Sequence, residues 1–155
     1  MAPRSLGGPM KLLSVAAALL AATGLSGQAS SPKYVEGHVW EYRTRPQDAG
    51  SLLKVQRVEM MGAEKVYHIS VVGVHFATPG IAGILPHIPV SEETLDASVT
   101  KLSAEKREFP TSALDEGIEE WRKAQGGVFT IPISQIVGII DDQMATAQMQ
   151  APANP

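Results

Sequence analysis

The chain has no cysteine among its 155 residues. That excludes a disulfide scaffold, a thiol nucleophile, cysteine zinc sites and thiolate-bound iron–sulfur clusters. Aromatic residues are only 5% of the chain, and there is no basic excess. The formal net charge of −3 argues against a nucleic-acid binder, which needs lysine and arginine to neutralise phosphates. The 14 glycines and 11 prolines follow no three-residue period, so a collagen-like rod is excluded too. No uninterrupted apolar run approaches the ~20 residues of a membrane-spanning helix.

One apolar run is nevertheless conspicuous. Leu12 to Leu20 follows a short basic segment holding Arg4 and Lys11, the layout of a secretory signal peptide. Gly27 and Ala29 stand where signal peptidase expects small residues, which places cleavage between Ala29 and Ser30. The expected organisation is a cleavable leader over 1–29, one globular domain over 30–143 and a disordered tail over 144–155. Cleavage would remove two basic residues and no acidic one, so Lys+Arg falls from 13 to 11 against 16 Asp+Glu, a net charge of −5. Such a protein is expected in the periplasm or outside the cell, without stable membrane insertion and without disulfides to support its core.

Period-two alternation in His38-Val39-Trp40-Glu41-Tyr42-Arg43 predicts a strand with Trp40 and Tyr42 on one face and Glu41 and Arg43 on the other. Leu52 to Met60 and Lys65 to Phe76 predict two more, joined as a hairpin through Gly62-Ala63-Glu64. The alternation slips between Val55 and Val58, and again between Val71 and Val74. A β-bulge near Gln56-Arg57 and another near Val71-Val72-Gly73 would each restore one apolar face, and coverage of both faces is the alternative. Residues 77–90 carry three prolines and two glycines and are expected to be an apolar loop. Ser91 reads as the N-cap of a helix with a Leu95, Val99, Leu102 stripe, and Leu114, Ile118 and Trp121 as the stripe of a second helix ending at Gly126-Gly127. Val128 to Ile131 suggests a short fourth strand, and Pro132 opens a last helix with Ile133, Ile136, Val137 and Ile140 inward. The fold class expected is α+β: a curved antiparallel sheet of three to four strands in βββ-αα-β-α order, with helices packed on one face.

Chemistry-bearing residues are sparse. His68, Ser70 and His75 would share the polar face of the third strand if a bulge lies near Gly73, with Glu59 or Glu41 as a third group. Ordinary surface histidines are the alternative, and the spacing matches no metal motif. His87 is held between Pro86 and Ile88, where it can act as a base or fix the loop. No Gly-x-Ser-x-Gly elbow or phosphate loop is present, and Ser98 and Lys101 mimic a Ser-x-x-Lys box only superficially. Asp115, Glu116, Glu119 and Glu120 read as a solvated helix face.

Gly37-x-x-Trp40-x-Tyr42-x-Thr44-Arg45-Pro46 and Leu85-Pro86-His87-x-Pro89-x-Ser91-Glu92-Glu93 resemble a group of small uncharacterised bacterial proteins, as do Glu116-Gly117-Ile118-x-x-Trp121 and Gly127 to Ile131. The resemblance implies one domain over residues 34–140 and carries no activity. Pro132 departs from it, since a serine cap is usual at that position. The sequence therefore supports a non-catalytic exported module that binds a protein or small ligand, with Trp40, Tyr42, Ile84 and His87 as candidate contacts and no cofactor or metal. A small hydrolase using His68, His75 or His87 with a carboxylate is one alternative. An inhibitor or immunity-type protein is another.

Overall fold

The computed structural model describes residues 30–151; the expected leader and its cleavage residue Ala29 lie outside this range. Five strands form one antiparallel sheet: β1 (Val39–Tyr42), β2 (Leu52–Met61), β3 (Glu64–Val72), β4 (Ile84–Val90) and β5 (Val99–Leu102). Their spatial order is β4-β3-β2-β1-β5. Three helices complete the fold: α1 (Glu92–Ser98), α2 (Leu114–Lys123) and α3 (Ile133–Gln150). The α+β class agrees with the sequence reading, whereas the strand count and element order do not.

The first slip in alternation is a bulge. The β2–β3 register shifts between Val55 and Arg57, leaving Gln56 as the extra residue. Val58 thereby returns to the face of Leu53 and Val55, and all three contribute to the main core. In β3 the apolar run instead reflects burial on both faces. Tyr67, Ile69 and Val71 enter the main core, while His68 and Ser70 between them are also buried. The irregularity anticipated near Gly73 follows the strand: Gly73 has φ +81°, and Val74 rejoins the main core beyond it.

Helices therefore lie on both faces of the sheet, not on one. Leu95 of α1 and Ile133, Ile136 and Val137 of α3 pack on the Tyr67 face. The other face carries α2, whose Trp121 ring meets His68 edge-on with centroids 5.0 Å apart. A smaller cluster of Leu52, Val72 and Phe109 lies apart from the main core.

Four local expectations are overturned. Residues 84–90 are a strand rather than part of a loop, because β4 is an edge strand and tolerates proline there. Phe129 N–H donates to the Pro89 carbonyl at 3.0 Å, so Pro89 turns its backbone polar groups away from β3 and its missing N–H costs the ladder nothing. The Leu95, Val99, Leu102 stripe is not one helix. It breaks at the β-branched pair Val99-Thr100, and Val99–Leu102 pairs with β1 at the far edge of the sheet. Residues 128–131 contribute only an isolated parallel bridge between Val90 and Phe129. Finally, α3 runs through Gln150, so residues 144–150 are helical where no order was expected.

Side-chain hydrogen bonds give Arg45 a structural role. Arg45 Nε donates to Asp48 at 2.6 Å and its Nη1 to Asp141 at 2.8 Å. The backbone N–H groups of His75 and Ala77 donate to the same two carboxylates. This buried knot ties the β1–β2 connection to α3. The Ser98 hydroxyl accepts from Ile133 N at 2.9 Å, supplying from α1 the cap that Pro132 cannot. Lys101 is on β5, with its Nζ 3.4 Å from Glu41 of β1, whereas Ser98 ends α1, so the helical Ser-x-x-Lys arrangement does not form.

Candidate functional site

The polar residues beneath α2 are brought together by two irregularities facing one another across Ser70. One is the Gln56 bulge in β2. The other lies in β4, where the β3–β4 register shifts between Ile69 and Val71 and residues 86 and 87 share the space opposite Ser70. Ser70 Oγ donates to the Pro86 carbonyl at 2.6 Å and accepts from Gln56 Nε2 at 3.1 Å. That exchange fixes the β4 bulge and turns His87 toward His68. Nδ1 of His68 and Nε2 of His87 are 2.8 Å apart, and the rings stack with centroids at 5.0 Å.

His68 is fully buried, and its other nitrogen, Nε2, has no hydrogen-bond partner. The nearest carboxylate oxygen is Glu59 Oε2 at 3.7 Å, beyond hydrogen-bond range but close enough to act through charge. Glu59 in turn pairs with Arg122, which also binds Glu119 at 2.6 Å. Arg57 pairs with Asp115 at 2.8 Å, so α2 is tied to β2 near each of its ends.

A carboxylate beside Nε2 orders the protons of this row. It favours the tautomer with hydrogen on Nε2 of His68, leaving Nδ1 to accept from Nε2–H of His87. The lone pair on Nδ1 of His87 then faces α2, where Gly117 gives it room. A β-carbon at Gly117 would lie 3.2 Å from that nitrogen. Burial pushes His68 below the usual imidazole range; Glu59 opposes the shift, and Arg122 and Arg57 add to it. Burial also lowers His87, to about 4, with His68 adding to the shift and Glu59 opposing it. Near neutral pH the pair is an uncharged hydrogen-bonded stack.

Trp121 stands between two depressions. An open groove of about 540 Å³ is lined by Pro86, His87, Glu116, Gly117, Glu120 and Trp121. On the other side, a groove of about 380 Å³ runs past Glu59, Met60, Met61, Val66, Trp121 and Arg122. Met60 and Met61 are exposed there, at 61% and 47%. The indole Nε1 donates to the Gly127 carbonyl at 3.0 Å, and a β-carbon at Gly126 would come within 2.2 Å of the indole. Glycine at 126 is therefore a packing requirement of Trp121. The left-handed position at the end of α2 is taken by Gln125, with φ +48°, not by a glycine.

The predicted site residues are dispersed accordingly. His68 is not a surface histidine, and its partner is His87 rather than His75, whose side chain is 68% exposed and lies 4.0 Å from Asp48. Tyr42 is in the core with its hydroxyl 2.8 Å from Ser51 Oγ, whereas Trp40 is half-buried and packs against that core. Within the former loop, Leu85, Ile88 and Val90 are core residues, whereas Ile81 and Ile84 are exposed. Met60, Met61 and Arg122 were missed. Exposed methionines at a hairpin tip next to a tryptophan four elements beyond that hairpin give no sequence pattern.

Among the described residues, no group of three or more histidine and acidic side chains is arranged to hold a metal ion. No described helix is long and apolar enough to cross a membrane. Comparison with protein-family models, with curated proteins and with solved structures finds no match to this chain.

Proposed function

We propose that the chain is an exported, non-catalytic binding module whose ligand seat is the groove between the β2–β3 hairpin tip and the C-terminal end of α2. The observation that carries this reading is the pairing of exposed Met60 and Met61 with Trp121 and Val66 around one concavity of about 380 Å³. Methionine is unbranched and polarizable, and adapts to apolar surfaces of differing shape. The Glu59–Arg122 pair in the same groove supplies polar groups that orient a ligand. A small, mostly apolar molecule with one polar end fits this chemistry. The histidine row supports a hydrolase less well: His68 is sealed from solvent, and the nearby Ser70 hydroxyl is committed to the Pro86 carbonyl.

Anilinonaphthalene sulfonate, an apolar dye with one anionic group, is a direct probe. Titration should give saturable one-site binding that Met60→Glu together with Met61→Glu weakens by at least ~10-fold, the equivalent of about 1.4 kcal/mol. Equal affinity of wild type and double variant would remove the groove from consideration. Loss of binding on Ile81→Glu with Ile84→Glu instead would move the seat to the β4 entrance.

A further inference from the structure

We propose that the His68–His87 pair is a pH-operated latch, which holds α2 against the sheet while both imidazoles are uncharged and releases it when they take up protons in mild acid. The inference rests on geometry and does not depend on the ligand of the groove. A separation of 2.8 Å between Nδ1 of His68 and Nε2 of His87 accommodates one hydrogen. Two imidazolium rings would present two N–H groups to each other across that gap, so the doubly protonated pair cannot keep the bond.

The first added proton goes to Nδ1 of His87, since the other nitrogens of the row either carry hydrogen or accept one. It places a cation against the backbone of Gly117, on the inner side of α2. The second proton needs Nδ1 of His68 and breaks the shared hydrogen bond. It leaves a cation in a fully buried position beneath Trp121. Burial lowers the affinity of both rings for a proton while α2 is docked, so opening is favoured once the solution falls below the ordinary imidazole range.

The charged groups around the pair come from two elements. From β2, Glu59 favours the cations and Arg57 opposes them; from α2, Arg122 opposes them. Glu116 and Glu120 of α2 line the open groove beside His87, where water screens them. Arg57 and Arg122 are themselves engaged by Asp115 and Glu59, so proton uptake at the pair strains α2 between its two ionic ties. Release would take away Trp121, which walls both grooves. On the opposite face α3 contacts neither histidine, and its docking has no reason to follow.

Hydrogen exchange of the full chain read by mass spectrometry from pH 7.5 to 4.5, corrected for intrinsic rates, tests the latch. Protection of 114–123 should fall about tenfold per pH unit for each proton taken up, while 133–150 stays protected. His68→Gln with His87→Gln should remove the pH dependence. Unchanged protection of α2 in the wild type, joint loss of α2 and α3, or the same pH profile in the double variant would each overturn the proposal. Should the double variant not fold, the wild-type histidine Cε1–H resonances decide. Their titration must share a midpoint with α2 opening, and separate midpoints refute the latch.

Discussion

Replacing Arg45 with methionine is expected to be the most costly single change outside the apolar core. The guanidinium is the only cation hydrogen-bonded to Asp48 and Asp141 among the described residues, and these carboxylates are 1% and 6% exposed. Methionine preserves most of the apolar stem, so the variant isolates loss of charge and hydrogen bonds from loss of packing. Breaking a buried pair by removing one partner costs about 3–5 kcal/mol, because the remaining charge is left desolvated. Here each carboxylate keeps one backbone donor, His75 N–H at 2.7 Å for Asp48 and Ala77 N–H at 2.9 Å for Asp141. That places the expected loss at the lower end, about 3 kcal/mol. With a urea slope of about 1–3 kcal/mol/M, the midpoint should fall by ~1 M or more. Arg45 also holds Asp141 below the usual carboxylate range, with Ala77 N–H adding to the shift. A depressed carboxylate stabilises the fold above its unfolded pKa and loses that contribution as pH falls through its folded value. The wild type should therefore weaken steeply below about pH 4, and Arg45→Met less so. A loss under about 1 kcal/mol, with an unchanged acid limb, would show that the carboxylates are hydrated and that the knot does not hold α3.

Three further outcomes follow from particular contacts. Gly126→Ala should drive Trp121 out of its seat, since the new methyl would lie 2.2 Å from the indole; a loss of about 1–3 kcal/mol and red-shifted tryptophan emission in a Trp40→Phe background are expected, and unshifted emission would contradict it. Ser98→Ala removes the hydroxyl that accepts from Ile133 N and donates to Thr94 O; chemical denaturation should show a loss of about 1–2 kcal/mol, and a neutral result would mean that another group caps α3. His87, lowered to about 4 chiefly by burial, takes up its proton more readily when unfolded, so stability should be flat above about pH 6.5 and decline from there toward pH 4. Denaturation midpoints of wild type and His87→Gln should converge across that window, and parallel curves would exclude His87 as the source of the decline.

Much of the sheet could be read from residue order because its signals are local. The parity change between Val55 and Val58 located the Gln56 bulge, and Ser91 capped α1 as expected, accepting from Thr94 N at 3.2 Å. What escaped depended on partners distant in sequence. Val99 and Leu102 satisfy a helical stripe as well as a strand, and only the open edge of β1 decides between them. Pro86 and Pro89 argue against a strand unless it is known to lie at an edge, and the same misjudgement concealed His87 from His68. Residues 66–72 of β3 are buried on both parities, the mark of a strand covered on both faces, but His68 and Ser70 on one parity gave that face a polar reading in the sequence.

The two edges of the sheet are not equivalent. Along β4, proline rings and the Phe129 bridge occupy the backbone positions that another strand would need, whereas β5 offers four residues with nothing among the described residues paired beyond them. A sheet closed on one side can accept a neighbour only once. Two copies joined through β5 would expose only β4 edges, so strand pairing between copies ends at a dimer, and fibrous growth through this sheet has no second end from which to continue.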